Sequence, residues 1–306
     1  MTVSKVRIGT RGSTLAMWQA RAVQEMLTTR YTDLEVELVI IKTTGDAIQD
    51  VALSKLPGKA FFTKEIEDAL LDRRVDLAVH SGKDVPTEQP DGLILAGFLK
   101  RHSPVDVLVS KEGELLTDLP AGSRIGTSSL RRRALVAHLR PDLEILDLRG
   151  NVDTRLRKLD EGQYDAILLA AAGIERLGFG ARITERLDPH VFLPAVSQGA
   201  MALEIRDADR ELLDLIKPLT DKETEVAIDA ERALLRTLEG GCQVPLGALA
   251  TLKDGKITLE ASIIAPDGSL RVDGNIEAAP ADAERAGREL AEQLISRGGD
   301  KIIKMI

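Results

Sequence analysis

Cationic side chains gather where strands hand over to helices. Arg11, Lys83, Arg149, Arg155 and the run Arg131-Arg132-Arg133 fall in or just after such connections rather than along helix faces. A guanidinium offers a planar fork to a carboxylate or phosphate, so several forks at corresponding turns imply a ligand with several anionic groups. The other reading is solvated surface charge or ordinary ion pairing with the chain's surplus of acids. The turn Thr127-Ser128-Ser129 sets hydroxyls and the unpaired amides of a helix start before Arg131 and Arg132, an anion site by geometry as well as charge. His80-Ser-Gly-Lys83-Asp84-Val-Pro86 ends an apolar run with a base and an acid side by side. A carboxylate so placed can move a proton on a bound substrate or stabilise a developing cation, and it can equally cap the turn before Pro86. Cys242, the single cysteine, lies in Glu239-Gly-Gly-Cys242-Gln-Val-Pro245. Flanking glycines let a ligand approach the sulfur, and a loop thiolate is a nucleophile; a free cysteine otherwise packs as a small apolar side chain. His80, His102, His138 and His190 lack close ligand spacing, so no metal is expected.

These residues need a scaffold that brings turns together, and the apolar pattern supplies one. Val6-Arg-Ile8 reads as a strand and Gly9–Ser13 as a turn. Leu15, Trp18, Ala22, Val23, Met26 and Leu27 then recur at helical spacing before a second strand over Leu34–Lys42. Val75–His80, apolar apart from Asp76 and its end, reads as the buried interior of a parallel sheet. The same order then returns. Arg7-Ile-Gly-Thr10 is repeated as Arg124-Ile-Gly-Thr127, Leu34-Glu-Val36 as Leu143-Glu-Ile145, and Val75-Asp-Leu-Ala78 resembles Tyr164-Asp-Ala-Ile167. Three matches in series predict two similar α/β lobes. The first copy is longer around Gly45–Lys64, where Lys55-Leu-Pro-Gly-Lys59 reads as a basic loop tip and a candidate lid. Phe61-Phe62 follows it, as core or as packing on substrate.

Breakers near 99–105 and 193–200 mark crossings between lobes, and Ala202–Arg206 reads as a strand returning to the first sheet. After Pro218 a helix over Lys222–Leu238 is followed by Ala248–Leu252 and Lys256–Ile264, joined through Asp254-Gly255 as a hairpin. A strand over Arg271–Glu277 and a helix over Ala283–Ile295 complete the pattern. The expected organisation is an α/β lobe of residues 1–99 with 200–217, a second α/β lobe of residues 100–199, and a small α+β domain of residues 218–306 carrying Cys242. In open α/β sheets ligands bind beyond the carboxyl ends of the strands.

Composition narrows the function classes. With 43% hydrophobic and 29% charged residues, the 306-residue chain is neither disordered nor collagen-like and has length for two or three domains. One cysteine excludes a disulfide within the chain. Forty-one Lys and Arg against 49 Asp and Glu give a net charge of −8, and aromatics are 3%. Nucleic acid is therefore a poor partner, and the clustered arginines need a smaller anionic target. Met1–Thr10 reaches charges and a glycine too soon for a signal-peptide apolar core, and no stretch approaches the ~20 apolar residues of a membrane span. A cytoplasmic protein is expected. Two classes then compete: an enzyme working on a polyanionic substrate, and a non-enzymatic two-lobed anion-binding protein. The third domain and the glycine-flanked cysteine favour the enzyme.

Five segments resemble the hydroxymethylbilane synthase (porphobilinogen deaminase) family, in order and over essentially the whole chain: Ile8-Gly-Thr-Arg11-Gly-Ser13-Thr-Leu-Ala, His80-Ser-Gly-Lys83-Asp84-Val-Pro, Gly126-Thr127-Ser128-Ser129-Leu-Arg131-Arg132-Arg, Leu148-Arg149-Gly-Asn-Val-Asp-Thr-Arg155, and Gly240-Gly-Cys242-Gln-Val-Pro245. The resemblance implies two lobes similar to type II periplasmic binding proteins plus the small third domain. It implies a transferase that joins four porphobilinogen molecules head to tail, with loss of ammonia, into the linear tetrapyrrole hydroxymethylbilane. It further implies a dipyrromethane cofactor on Cys242 through a thioether, with Lys83, Arg131, Arg132, Arg155, Thr127, Ser128 and Ser129 holding it. Arg11, Ser13, Arg149 and Arg176 are then substrate-binding and Asp84 catalytic; Lys55, Lys59 and Phe62 are read as parts of the lid from the inserted length and its Pro-Gly tip. Porphobilinogen and linear pyrrole intermediates are the implied partners, and a monomer the implied state. A chain of carboxylated pyrroles gives the arginine supply a purpose.

Overall fold

The structure, a computed structural model, describes residues 3–47, 62–238 and 245–305. It divides into two compact units, residues 1–102 with 200–225 and residues 103–199 with 226–306. The chain forms β1 (Lys5–Thr10), α1 (Thr14–Arg30), β2 (Glu35–Ile40), α2 (Thr44–Ala47), α3 (Lys64–Leu71), β3 (Leu77–Ser81) and β4 (Leu93–Phe98). It continues through β5 (Asp106–Ser110), β6 (Arg124–Gly126), α4 (Leu130–Leu139), β7 (Glu144–Leu146), α5 (Val152–Asp160), β8 (Ala166–Ala170), α6 (Ala171–Arg176) and β9 (Glu185–Arg186). The first unit is completed by β10 (Met201–Arg206) and α7 (Arg210–Ile216). After α8 (Lys222–Leu238) come β11 (Leu246–Lys253), β12 (Lys256–Ile264), β13 (Arg271–Ala278), α9 (Ala283–Leu294) and α10 (Asp300–Ile303).

The first unit is built on a five-stranded sheet of order β2-β1-β3-β10-β4, in which β1 runs parallel to β2 and β3, and β10 antiparallel to β3 and β4. The second unit contains a sheet of order β7-β6-β8-β5-β9 with the same alternation, β6 parallel to β7 and β8, and β5 antiparallel to β8 and β9. The two α/β lobes expected from the repeats are thus present. In each, the antiparallel fourth strand is the one nearest a crossing in sequence, and the expected return strand is β10.

The repeated Arg-Ile-Gly-Thr earns its letters one by one. Ile8 and Ile125 are fully buried, each removing about 1.5–3 kcal/mol of apolar surface from water. A Cβ on Gly9 would meet Val75 at 3.0 Å, and one on Gly126 would meet Tyr164 at 2.8 Å, so both strands need glycine for close packing. Thr10 and Thr127 are buried at the strand ends. Arg7 clasps Asp76 through Nε (2.9 Å) and Nη2 (2.8 Å), and its backbone N–H donates to the same carboxylate at 3.0 Å. Arg124 clasps Asp165 in the same way, at 3.2, 2.8 and 2.7 Å. Helix α1 begins where the Ser13 hydroxyl accepts from the Ala16 N–H at 3.3 Å, and its Ala16, Ala20, Val23 and Leu27 face is buried.

The C-terminal part has its own antiparallel sheet, β11-β12-β13, and its own core from α8, the sheet and α9. Asp254 (φ 52°) and Gly255 (φ 73°) are both left-handed, the backbone of a two-residue hairpin turn. Compactness groups this part with the second lobe in one unit. Glu231 on α8 joins them: its carboxylate accepts from the Ser197 N–H at 2.7 Å and from the Ala250 N–H at 2.8 Å. Among the described residues no helix is long and apolar enough to cross a membrane.

Candidate active site

In the first unit, the predicted residues follow the carboxyl ends of the neighbouring parallel strands β1 and β3. Arg11 leaves β1, and its guanidinium lies 4.1 Å from the centre of the Phe62 ring, a cation–π contact that fixes the fork's plane. Phe62 is therefore placed on Arg11. Ser13 caps α1. Gln19 Nε2 on α1 donates to the Ser81 hydroxyl at 3.0 Å, and the Gly82 N–H donates to the Ala200 carbonyl at 2.9 Å. These bonds fix the start of the single 3-10 turn Gly82–Asp84. Lys83 and Asp84 stand on that turn and are solvent-exposed.

Below the turn lies a group that the sequence reading passed over. His80 is buried, and its Nε2 sits 2.9 Å from Glu204 Oε2 on β10. Glu204 Oε1 and, on α3, Glu67 Oε1 are buried with no hydrogen-bond partner among the described residues. Burial raises the Glu67 carboxyl above the usual range, with the nearby Glu204 acting in the same direction. His80 thus has a core role of the satisfied kind. The signal for its partner was a lone acid in the apolar strand Met201-Ala-Leu-Glu204-Ile.

In the second unit the predicted residues follow β6, β7 and β8, again neighbouring parallel strands. The hydroxyls of the first turn hold the turn itself. Thr127 Oγ1 accepts from the Ser129 N–H at 3.2 Å, Ser128 donates to the Leu148 carbonyl at 2.5 Å, and Ser129 caps α4 by accepting from the Arg132 N–H at 3.4 Å. Arg131 and Arg132 are not on the surface: they are 6% and 5% exposed and converge on Asp106, which is fully buried at the start of β5. Asp106 accepts from Arg131 Nη1 at 2.7 Å, from Arg132 Nη2 at 2.7 Å and Nε at 3.1 Å, and from Gln198 Nε2 at 2.9 Å. Burial works to raise the Asp106 carboxyl, and the two guanidiniums overcome it and hold the group far below the usual carboxylate range.

The ion-pair reading of the arginine run is therefore realised for Arg131 and Arg132. One carboxylate balances one guanidinium, so among the described residues this cluster keeps a surplus guanidinium. Among the described residues Arg131 Nε is buried without a partner, and so is Arg149 Nη2 after β7; such orphans are unfavourable unless a ligand meets them. Arg155 Nε donates to the Gly150 carbonyl at 2.7 Å. Arg176 Nη2 donates to the Gly199 carbonyl at 2.9 Å, and burial lowers its guanidinium to about 10, still cationic at neutral pH. Arg133 makes an exposed pair with Asp147. Asp106 and Gln198 were missed by sequence reading, although an acid opening the apolar run Asp106-Val-Leu-Val was the available signal. Lys55, Lys59 and Cys242 lie outside the described residues. No group of three or more His, Cys, Asp or Glu side chains among the described residues is arranged to hold a metal ion.

Known proteins resemble the chain over nearly its whole length. Residues 6–214 match the family model described as porphobilinogen deaminase, dipyromethane cofactor binding domain, and residues 226–296 match the porphobilinogen deaminase C-terminal domain. A porphobilinogen deaminase of Syntrophobacter fumaroxidans is 51% identical over 306 residues, covering 100% of this chain and 99% of the relative. One of Syntrophotalea carbinolica is 52% identical over 303 residues, covering 99% and 96%. Among solved structures, a probable amino-acid transporter extracellular-binding protein of Bacillus subtilis aligns with a TM-score of 0.45 at 14% identity, covering 71% of this chain and 90% of that one.

Proposed function

The chain belongs to the porphobilinogen deaminase family, and from that premise we propose how its own residues divide the family's reaction. It is a transferase of tetrapyrrole synthesis that deaminates and joins four porphobilinogen molecules head to tail into hydroxymethylbilane, and its cofactor is a dipyrromethane. We assign the cofactor's thioether to Cys242.

The residues present fit such a group. A dipyrromethane built from two substrate units carries several carboxylates, and the second unit offers a buried cluster with surplus positive charge and two orphaned guanidinium nitrogens. That surplus is the observation that supports the reading best. Arg131 and Arg132, aligned by Asp106, hold cofactor carboxylates with Lys83 and Arg155, and Thr127, Ser128 and Ser129 shape the turn that presents them. Arg11, Arg149 and Arg176 bind the carboxylates of incoming substrate, with Ser13 fixing the helix start beside Arg11. When bound, the cofactor supplies the pyrrole carbon at which the growing chain starts, and it stays on the protein.

Asp84 performs the proton transfers. Its carboxylic acid protonates the leaving amine of porphobilinogen, its carboxylate then stabilises the cation left on the substrate methylene, and it takes up the proton released as the new carbon–carbon bond forms. A carboxylate beside charge that develops only in the transition state lowers the barrier rather than merely tightening substrate binding. We place this work in a three-domain protein divided at residues 1–99 with 200–217, 100–199 and 218–306, acting in the cytoplasm as a monomer without nucleic acid.

Intact mass tests the assignment. The wild-type chain is expected to carry an adduct of two porphobilinogen units less the lost ammonia, absent from Cys242→Ser. A wild-type mass that stays unmodified after incubation with porphobilinogen or hydroxymethylbilane would overturn the Cys242 role and return the anion-binding alternative.

A further inference from the structure

The two lobes share a sheet, and their registers identify equivalent positions. Gly9 pairs with Ala78 on β3, and Gly126 with Ile167 on β8. Beyond them, Ala78 faces Glu204 and His80 faces Ala202 in the first lobe. In the second, Ile167 faces Val109 and Leu169 faces Val107. The sites of Glu204 and His80 are thus filled by Val109 and Leu169, at 1% and 3% exposure. The fold is complete with an apolar pair there. The buried His80–Glu204 pair, 2.9 Å apart with Glu204 Oε1 unpartnered, costs more desolvation than Leu and Val would. Scaffold needs do not account for it.

Its position does. His80 is the penultimate residue of β3, and the turn Gly82–Asp84 follows directly. The pair ties β3 to β10 side chain to side chain at the place where the Gly82 N–H bonds to the Ala200 carbonyl just before β10. A specific, directional contact fixes the angle at which a strand end leaves a sheet, whereas an apolar contact permits small sliding. We infer that His80 and Glu204 are positioning residues for the catalytic turn, setting the geometry of Asp84 through β3. This inference rests on the assignment of Asp84 as the acid and base of the reaction.

The test gives the first lobe the second lobe's solution, His80→Leu with Glu204→Val, in the full-length chain carrying its cofactor. The expected variant melts at or above the wild-type temperature and has the wild-type intact mass. Its kcat falls at least tenfold with KM within twofold, and the amides of Gly82 and Asp84 exchange faster. Added to Asp84→Asn, the same pair of changes costs no further turnover. Wild-type kcat in the double variant, or an equal loss in the Asp84→Asn background, overturns the inference. Should the double variant not fold, Glu204→Leu keeps the volume and removes the contact to His80; it is expected to lower kcat at least threefold at constant KM, with Glu204→Gln, which keeps the hydrogen bond, restoring turnover, and unchanged kcat in Glu204→Leu is again fatal. Full turnover in Asp84→Asn alone would remove the Asp84 reading and this inference with it. Loss in Asp84→Asn without loss in the double variant removes this inference alone.

Discussion

The first lobe and the second lobe agree in strand order, in the glycine that lets Val75 or Tyr164 pack against the sheet, and in the Arg–Asp clasp at the strand start. They part at their buried charges. In the first lobe these are His80, Glu204 and Glu67, near a turn that exposes an acid and a base, and Arg206, which pairs with Asp76 and Asp209. In the second they are two guanidiniums on one carboxylate, Asp106, at a position where the first lobe has Met201. Shared features serve the sheet, and under the proposed division of the reaction the divergent ones serve separate chemical tasks, anion holding in the second lobe and proton movement in the first.

The largest expected effect comes from erasing that difference in the second lobe. Asp106→Met copies the first lobe and leaves Arg131 and Arg132 buried without their carboxylate, a change that costs about 3–5 kcal/mol, read from urea unfolding at neutral pH. The adduct is expected to be lost as well. Because the folded-state Asp106 is held below its unfolded value, its contribution is complete above the unfolded carboxylate range and declines as pH falls through and below it. The gap between wild type and variant should therefore narrow with acidification. Equal stability at pH 7 would mean that the cluster is not held by Asp106.

Next in size is Asp84→Asn, which tests the first lobe's task. Turnover is expected to fall about a hundredfold, equivalent to ~2.7 kcal/mol of barrier, with unfolding midpoint and intact mass unchanged, because the side chain stands exposed on its turn. A single-turnover rate near wild type would break the division of labour between lobes.

Why one half of this comparison was legible beforehand follows from where the information lies. Arg-Ile-Gly-Thr, the Val75-Asp and Tyr164-Asp starts and the Asp254-Gly255 turn are local, and each letter has a local job that the sheet or turn demands. The helix over Lys222–Leu238 and the return strand were readable for the same reason. The partners of buried charge are not local. Arg131 meets Asp106 across 25 residues and His80 meets Glu204 across 124, contacts made only once the antiparallel strand enters each sheet. The charge type at the turns was visible, and the balance of that charge was not, since it depends on which single acid the fold delivers to two arginines.

The smallest effect separates the two clasps, which the sequence writes alike. Asp76 is 20% exposed and also accepts from Arg206 Nη2 at 3.1 Å, whereas Asp165 is 39% exposed and has Arg124 as its ion-pair partner. Water and salt screen the second pair more, so its coupling should be the smaller, below the roughly 1 kcal/mol expected of Arg7–Asp76. Double-mutant cycles separate the side-chain pair from the backbone N–H bond that each aspartate also accepts, because Arg→Met removes only the former. Raising the ionic strength should reduce the Arg124–Asp165 coupling by the larger fraction. Equal couplings with equal salt dependence would show that Arg206 adds nothing to the first clasp, and the lobes would then differ in energy only where they bury unlike charges.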